Sequence, residues 1–244
     1  VKHILSKSSY IRSLQCLKSL YFYKFHYKDR DPISAEQQAK FDRGHQYGKI
    51  THQLYQYGKI THQLFPGGID VSPPTPFEYA TSAKQTQALL LKQQPVIYEA
   101  AFIANEVVVA LDILVRKGGL LHAFEVKSTT AIHPAILNDA ALQYFVITNA
   151  GYGLEDFSII HLRPDYKDLP ADDIGALFVT ESVKEYCVSQ QQFVEDNILS
   201  AKEIIRNKKM PVKEQGEHCN SPYPCDFKNI CNKSNSYASG SLFG

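Results

Sequence analysis

Three apolar segments joined by two very short connections constrain this chain most. Val96–Ala104 and 107–115 are rich in β-branched and aliphatic residues, and only Asn105-Glu106 stands between them. A two-residue connection closes an antiparallel hairpin and fixes its register. In that register Glu99 stands opposite Asp112. The next connection, Gly118-Gly119, is a pair that accepts the positive φ angles of a two-residue turn. It puts Asp112 opposite Glu125 as well, and Ala110 opposite Lys127. Side chains alternate along a strand, so a slip of one residue would send either partner to the other face. The reading lines up three carboxylates across three strands, their Cβ atoms about 4.5–5.5 Å apart. Ile97, Ala101, Val108, Ala110 and Ala123 are the apolar members of the same face.

Like charges directly opposite one another destabilise a sheet. Such an arrangement persists where something positive sits in it, and a hard divalent cation held by carboxylate oxygens is the natural candidate. The alternative is a set of ordinary sheet carboxylates with one lysine at the rim.

At 244 residues the chain can bury one sizeable core, or one core with a small appended lobe. A net charge of +1 excludes attraction to nucleic acid through bulk charge, so any such binding has to come from local patches. No run of about 18 apolar residues is present, so no membrane span or membrane partner is expected. Val1-Lys2-His3-Ile4-Leu5 lacks the long apolar stretch of a secretory signal, which predicts a cytoplasmic protein. In that compartment cysteines read as metal ligands or buried thiols rather than disulfides. Cys219, Cys225 and Cys231 lie close together near the C-terminus, Cys16 near the N-terminus, and Cys187 alone, as a buried apolar thiol.

Residues 8–25 carry Ile11, Leu14, Leu17, Tyr21 and Phe25 at helical spacing and predict one amphipathic helix. Its end, 21–28, interleaves aromatic and basic residues, either as a stacking and phosphate-contact surface or as a core face with snorkelling lysines. Ser34 and Gln37 form a capping box for a long helix. That helix holds a tandem repeat in which 46–54 recur identically at 56–64. Further helices are expected at 81–92, from His133-Pro134 to Asn149 with Gly151 as cap, and over 181–207, with a strand at 154–162. Asp139 reads as a helix-surface charge, and His122, His133 and His161 as structural histidines.

Asp112 followed by Glu125-Val126-Lys127 on adjacent strands resembles the Asp…Glu-x-Lys signature of the PD-(D/E)XK nucleases. Neighbouring motifs are similar to those of the RecB-like branch, which includes CRISPR-associated exonucleases with an iron–sulfur cluster as well as DNA-repair enzymes. Gly48 with His52, and Gly58 with His62, look like its Gly-x-x-x-His motif, and Gln143 looks like the glutamine of its Gln-x-x-x-Tyr motif. Ile147 departs from the tyrosine of that pattern, and Tyr144 directly follows the glutamine.

The resemblance implies an α/β, restriction-endonuclease-like fold. Its central mixed sheet is a three-stranded antiparallel meander plus a crossover strand, flanked by helices and joined by a cysteine-bearing helical lobe. It implies one nuclease domain over 1–244, with the core at about 34–180 and the lobe at 1–30 and 181–235; the Ser- and Gly-rich end, 236–244, reads separately as a linker to a further domain. It implies a Mg2+- or Mn2+-dependent deoxyribonuclease, expected to be an exonuclease acting on ends or single strands of DNA. Asp112, Glu125, the Val126 carbonyl and a histidine, His62 or His52, would be metal ligands. Lys127 would hold the attacking water, Glu99 would bind a second metal or a metal-bound water, and Gln143 would orient the lysine or touch the DNA backbone. Ten residues of helix advance ~15 Å and turn about 280°, so the two histidines cannot share one site on a continuous helix. His62 is preferred because the chain after it leads into the sheet. Cys16, Cys219, Cys225 and Cys231 are similar to the split ligands of a four-iron–four-sulfur cluster, with structural Zn2+ as the alternative. The competing reading is a non-catalytic nucleic-acid-binding module with a structural cysteine–metal centre.

Overall fold

The computed structural model describes residues 3–32, 60–75, 77–170 and 173–233. The capping box, the first copy of the repeat with His52, and residues 236–244 lie outside them. The chain divides into two compact units, Val1–Lys7 with Gly44–Val194 and Ser8–Arg43 with Glu195–Gly244.

The first unit is an α/β layer built on a seven-stranded mixed sheet. Its strands are β1 (Leu5–Ser6), β2 (Ile69–Asp70), β3 (Val96–Ala104), β4 (Val107–Lys117), β5 (Leu120–Lys127), β6 (Asp156–Leu162) and β7 (Phe178–Ser182). The order is β2-β3-β4-β5-β6-β7, and β1 pairs with β4. The central three form the expected meander. Asn105 and Glu106 take φ of 47° and 59°, and Gly118 and Gly119 take 59° and 84°, so both connections are the two-residue turns that set the register. Tyr98 pairs with Ile113 and Ala100 with Leu111. On the other side, Ile113 pairs with Phe124 and Leu114 with Ala123.

The β4–β5 ladder stops at Ile113–Phe124. On its other edge β5 pairs in parallel with β6 from His122 to Lys127, while β1 lies parallel to the start of β4, with Leu5 beside Val107. The sheet therefore forks next to Asp112. The connection from β5 to β6 is the helix Pro134–Asn149. His133 caps it with extended φ and ψ, proline occupies its first turn, and Gly151 follows its end at φ 93°. Phe157, Ile159 and Ile160 of β6 are buried on both faces, as a central strand requires.

Several elements differ from expectation for identifiable reasons. The helix foreseen at 8–25 is two, α1 (Lys7–Gln15) and α2 (Leu17–Phe25), because Cys16 between them is extended at φ −165°, ψ 117°. The pairs β1 and β2 are two residues long, too short for any periodicity to reveal. β7 occupies the start of the region read as helical, which then continues as Lys184–Ser189 and Gln191–Asn207. The first unit accordingly runs to Val194 rather than to about 180, and it recruits residues 1–7 through β1.

The second unit is organised by aromatic and charged contacts. Phe22 packs on Phe227 with ring centroids 5.9 Å apart, and Arg12 and Arg30 both bind the Asp226 carboxylate, at 2.6 and 2.7 Å. Phe22 is buried, so the aromatic run of α2 contributes to the core of this unit, while Tyr27 beyond it stays exposed.

Candidate active site

The fork in the sheet gathers charged side chains from β3, β4, β5, the residue after β1 and the crossover helix. Asp112, just past the last β4–β5 pair, turns its carboxylate to the freed backbone, and Oδ2 accepts the Val126 N–H at 2.6 Å. Glu125 is 2% exposed. Its Oε1 accepts from two ammonium groups, Lys127 at 2.6 Å and Lys7 at 2.8 Å. The same two lysines reach Asp139 Oδ2 on the crossover helix, at 3.0 and 3.4 Å. Glu125 Oε2, Asp139 Oδ1 and both amide atoms of Gln143 are buried without a hydrogen-bond partner. Glu99 holds φ 53° inside β3. A non-glycine residue there stores about 1–3 kcal/mol of backbone strain.

Electrostatics follow the geometry. Burial and the Glu125 carboxylate push Asp112 up to about 8. Burial, Glu125 and Asp70 raise Glu99, and burial and Glu125 raise Asp139. Glu125 moves the other way: burial alone would raise it, but Lys7 and Lys127 outweigh that and hold it ionised. Burial likewise works against the charge of both lysines, and the facing carboxylates overcome it, so both are raised. The cluster is therefore well neutralised at Glu125 Oε1 and short of positive charge around Asp112.

Asp112, Glu125 and Lys127 lie in one cluster, with Glu99 close enough to feel Glu125 and Lys7, but the expected pairs Asp112–Glu125 and Ala110–Lys127 are not formed, because the β4–β5 ladder ends at Ile113–Phe124. Gln143 is fully buried, one turn beyond Asp139. Asp139 is 7% exposed and part of the cluster, not a helix-surface charge. Its spacing of four from Gln143 was the available signal. Lys7 had no such signal, because its place depends on the two-residue strand β1.

His62 lies on the short helix Ile60–Leu64, and its ring stacks on Tyr98 at 3.9 Å and 17°. Tyr98 belongs to the apolar cluster with Ile113, Ile160, Leu64 and Phe65, on the face away from Glu99. The structure thus places His62 against Tyr98 and not with Asp112 and Glu125. Among the described residues no three His, Cys, Asp or Glu side chains form a metal cage as they stand. The carboxylates are arranged around ammonium groups instead.

In the second unit one cavity is lined by Cys16, Cys219, Cys225 and Cys231, with Lys18 and His218 beside them. None of the four is part of a disulfide. The break between α1 and α2 puts Cys16 at the wall, and the 3-10 turn Glu217–Cys219 carries Cys219 there. Burial raises the Cys225 thiol, and the Ser19 hydroxyl lies 3.6 Å from its sulfur. Cys187 is fully buried elsewhere, in the first unit, and burial pushes it up to about 12, as befits an inert core thiol.

No family model matches the sequence, and no curated protein does. Among solved structures, the crystal structure of SSO0001 aligns at 9% identity and a TM-score of 0.39, over 94% of this chain and 85% of that chain. A likeness at that score carries no argument about this chain.

Proposed function

We propose that this chain is a metal-dependent deoxyribonuclease of the PD-(D/E)XK, RecB-like kind, hydrolysing phosphodiester bonds from DNA ends as an exonuclease. One observation supports the reading most: Asp112 and Glu125 meet where the sheet forks, one carboxyl pushed up to about 8 and the other carrying a buried oxygen without a partner. A buried, unsatisfied acceptor costs about 1–3 kcal/mol, and a cation offsets that penalty for both groups. The donors present are hard oxygens, which fit Mg2+ or Mn2+. Asp112, Glu125 and the Val126 carbonyl would hold the ion, and when bound it supplies an activated water and neutralises the phosphoryl oxygens.

The remaining steps belong to the chain itself. An ammonium has three N–H bonds, and Lys127 gives one to Glu125 and one to Asp139. The third is free to hold the attacking water or a phosphoryl oxygen as negative charge develops. Asp139 and Glu125 fix the direction of that lysine. Gln143 offers a buried amide donor and acceptor beside them, and Glu99 adds a carboxylate at the edge of the same face.

The four cysteines around one cavity support a single metal centre in the second unit, a four-iron–four-sulfur cluster or tetrahedral zinc. The test of function is cleavage of end-labelled single- and double-stranded DNA with Mg2+, Mn2+ or EDTA. Shortening from the ends that stops in EDTA is expected. Binding of DNA without cleavage under all three conditions would return the chain to a non-catalytic nucleic-acid module, and cleavage that survives EDTA would refute metal dependence.

A further inference from the structure

We propose that Tyr27, with Lys28 and Arg30 beside it, is a binding place for single-stranded DNA, the ring stacking on one base and the two cations taking the flanking phosphates. The place lies wholly within the second unit. It rests on the deoxyribonuclease reading above and specifies the form of DNA that the chain takes up.

The aromatic and basic run at 21–28 divides at the end of α2. Phe22 goes into the core against Phe227, whereas Tyr27, on the 3-10 turn Tyr27–Asp29 that follows, is 52% exposed. A single exposed aromatic needs no explanation by itself. What singles out Tyr27 is that its exposed ring is held in place. Tyr23 meets it edge-on at 5.4 Å and 74°, the Arg30 guanidinium lies 5.1 Å over it, and Arg30 Nη1 donates to its hydroxyl at 3.0 Å. Behind Tyr23, the Arg12 guanidinium sits 4.8 Å over that ring and 5.5 Å over Phe227. A column of rings and guanidinium groups thus runs from buried Phe227 out to Tyr27 and Arg30, and Asp226 binds both arginines. Burial accounts for the inner half of that column. The outer half presents a rigid aromatic face to solvent, and a ring already held in place loses little freedom when a base stacks on it.

Charge favours an anionic occupant. Arg12 and Arg30 share the one Asp226 carboxylate, so the three groups keep a net positive charge. A guanidinium has five N–H donors, and the bonds of Arg30 to Asp226 and Tyr27 use two of them. Lys28, exposed, directly follows Tyr27. The neighbouring carboxylates are engaged within the chain: Asp29 pairs with His26 at 3.3 Å, and Asp31 accepts the backbone N–H of Lys228 at 2.7 Å. A ring between cations, with the nearby acids occupied, fits a partner that offers unpaired bases and phosphates together. A single strand does so, whereas a duplex keeps its bases stacked on one another.

The test is fluorescence anisotropy with the full chain in EDTA, where binding is read without cleavage. The probes are a labelled oligothymidylate of about 12 nucleotides, its duplex, its abasic counterpart and the matching oligouridylate. Wild type should bind the oligothymidylate more tightly than the other three. Tyr27→Ala should weaken that binding by about five- to a hundredfold, the range for loss of one stacked base, with an unchanged salt dependence. Tyr27→Phe, which keeps the ring, should stay within about threefold of wild type. Lys28→Gln should lower the slope of log affinity against log salt by about 0.7, the value for one phosphate contact on a single strand. Equal affinity for the abasic strand overturns the proposal with wild type alone, even if Tyr27→Ala does not fold. Tighter binding of the duplex or of the RNA, or an unchanged affinity in folded Tyr27→Ala, also overturns it. In each of these cases metal-dependent cleavage of DNA ends would leave the nuclease reading standing; wild type that neither binds nor cleaves DNA overturns both.

Discussion

Replacing Asp112 by Asn should stabilise the metal-free protein at alkaline pH. The substitution keeps the side chain's shape and a carbonyl acceptor for the Val126 N–H, and removes only the charge. In the fold the Asp112 carboxyl keeps its proton up to about pH 8, whereas an ordinary aspartate releases it near 3.8. Between those values the folded state binds more protons than the unfolded one, so stability falls as pH rises. At about 1.4 kcal/mol per pH unit, the full interval amounts to roughly 6 kcal/mol. Asp112 is partly exposed, and solvent screening brings the expected gain down to about 1–3 kcal/mol. For a chain of this size that is an increase of about 2–12 °C in Tm. The assay is thermal melting in EDTA at several pH values between 4 and 9. The advantage of Asp112→Asn should be largest at pH 8 and above and fade steadily toward pH 4. A difference independent of pH, or a variant less stable than wild type at pH 8.5, refutes the charge-deficient site.

Two further outcomes are specific. Anaerobically purified protein should be brown and contain iron and acid-labile sulfide, and Cys16→Ser should lose both; stoichiometric zinc without colour selects the alternative centre, and neither metal removes the cysteine assignment. His62→Ala should cost about 0.5–1.5 kcal/mol of stability through the lost stacking on Tyr98 and leave Mn2+ affinity within twofold; a loss of tenfold or more would put His62 on the metal, as the resemblance implies.

The β3–β4 register and the turn-proximal half of β4–β5 were legible because two-residue turns leave no freedom in strand pairing, but the expected pairs Asp112–Glu125 and Ala110–Lys127 are absent because the β4–β5 ladder ends at Ile113–Phe124 and β1 joins β4 beyond it. The crossover helix was legible from the His133-Pro134 start and the glycine beyond its end. Lys7 was not, since a two-residue strand has no period and its partner in the sheet is about a hundred residues away. Asp139 was not legible, because a lone acidic residue on a helix is usually solvated, and its burial comes from tertiary packing of the crossover helix. The break at Cys16 opposes the apolar spacing of the segment around it, and that same break is what brings a distant cysteine to the wall of the cavity.

The most direct test of the central claim is single-turnover cleavage of one end-labelled DNA at matched Mn2+ concentrations by wild type and Asp112→Asn. The account predicts Mn2+-dependent cleavage by wild type and at least a hundredfold slower reaction by the variant, about 2.7 kcal/mol or more of lost transition-state stabilisation, with the variant folded and at least as thermostable in EDTA. Equal rates for the two proteins would contradict it.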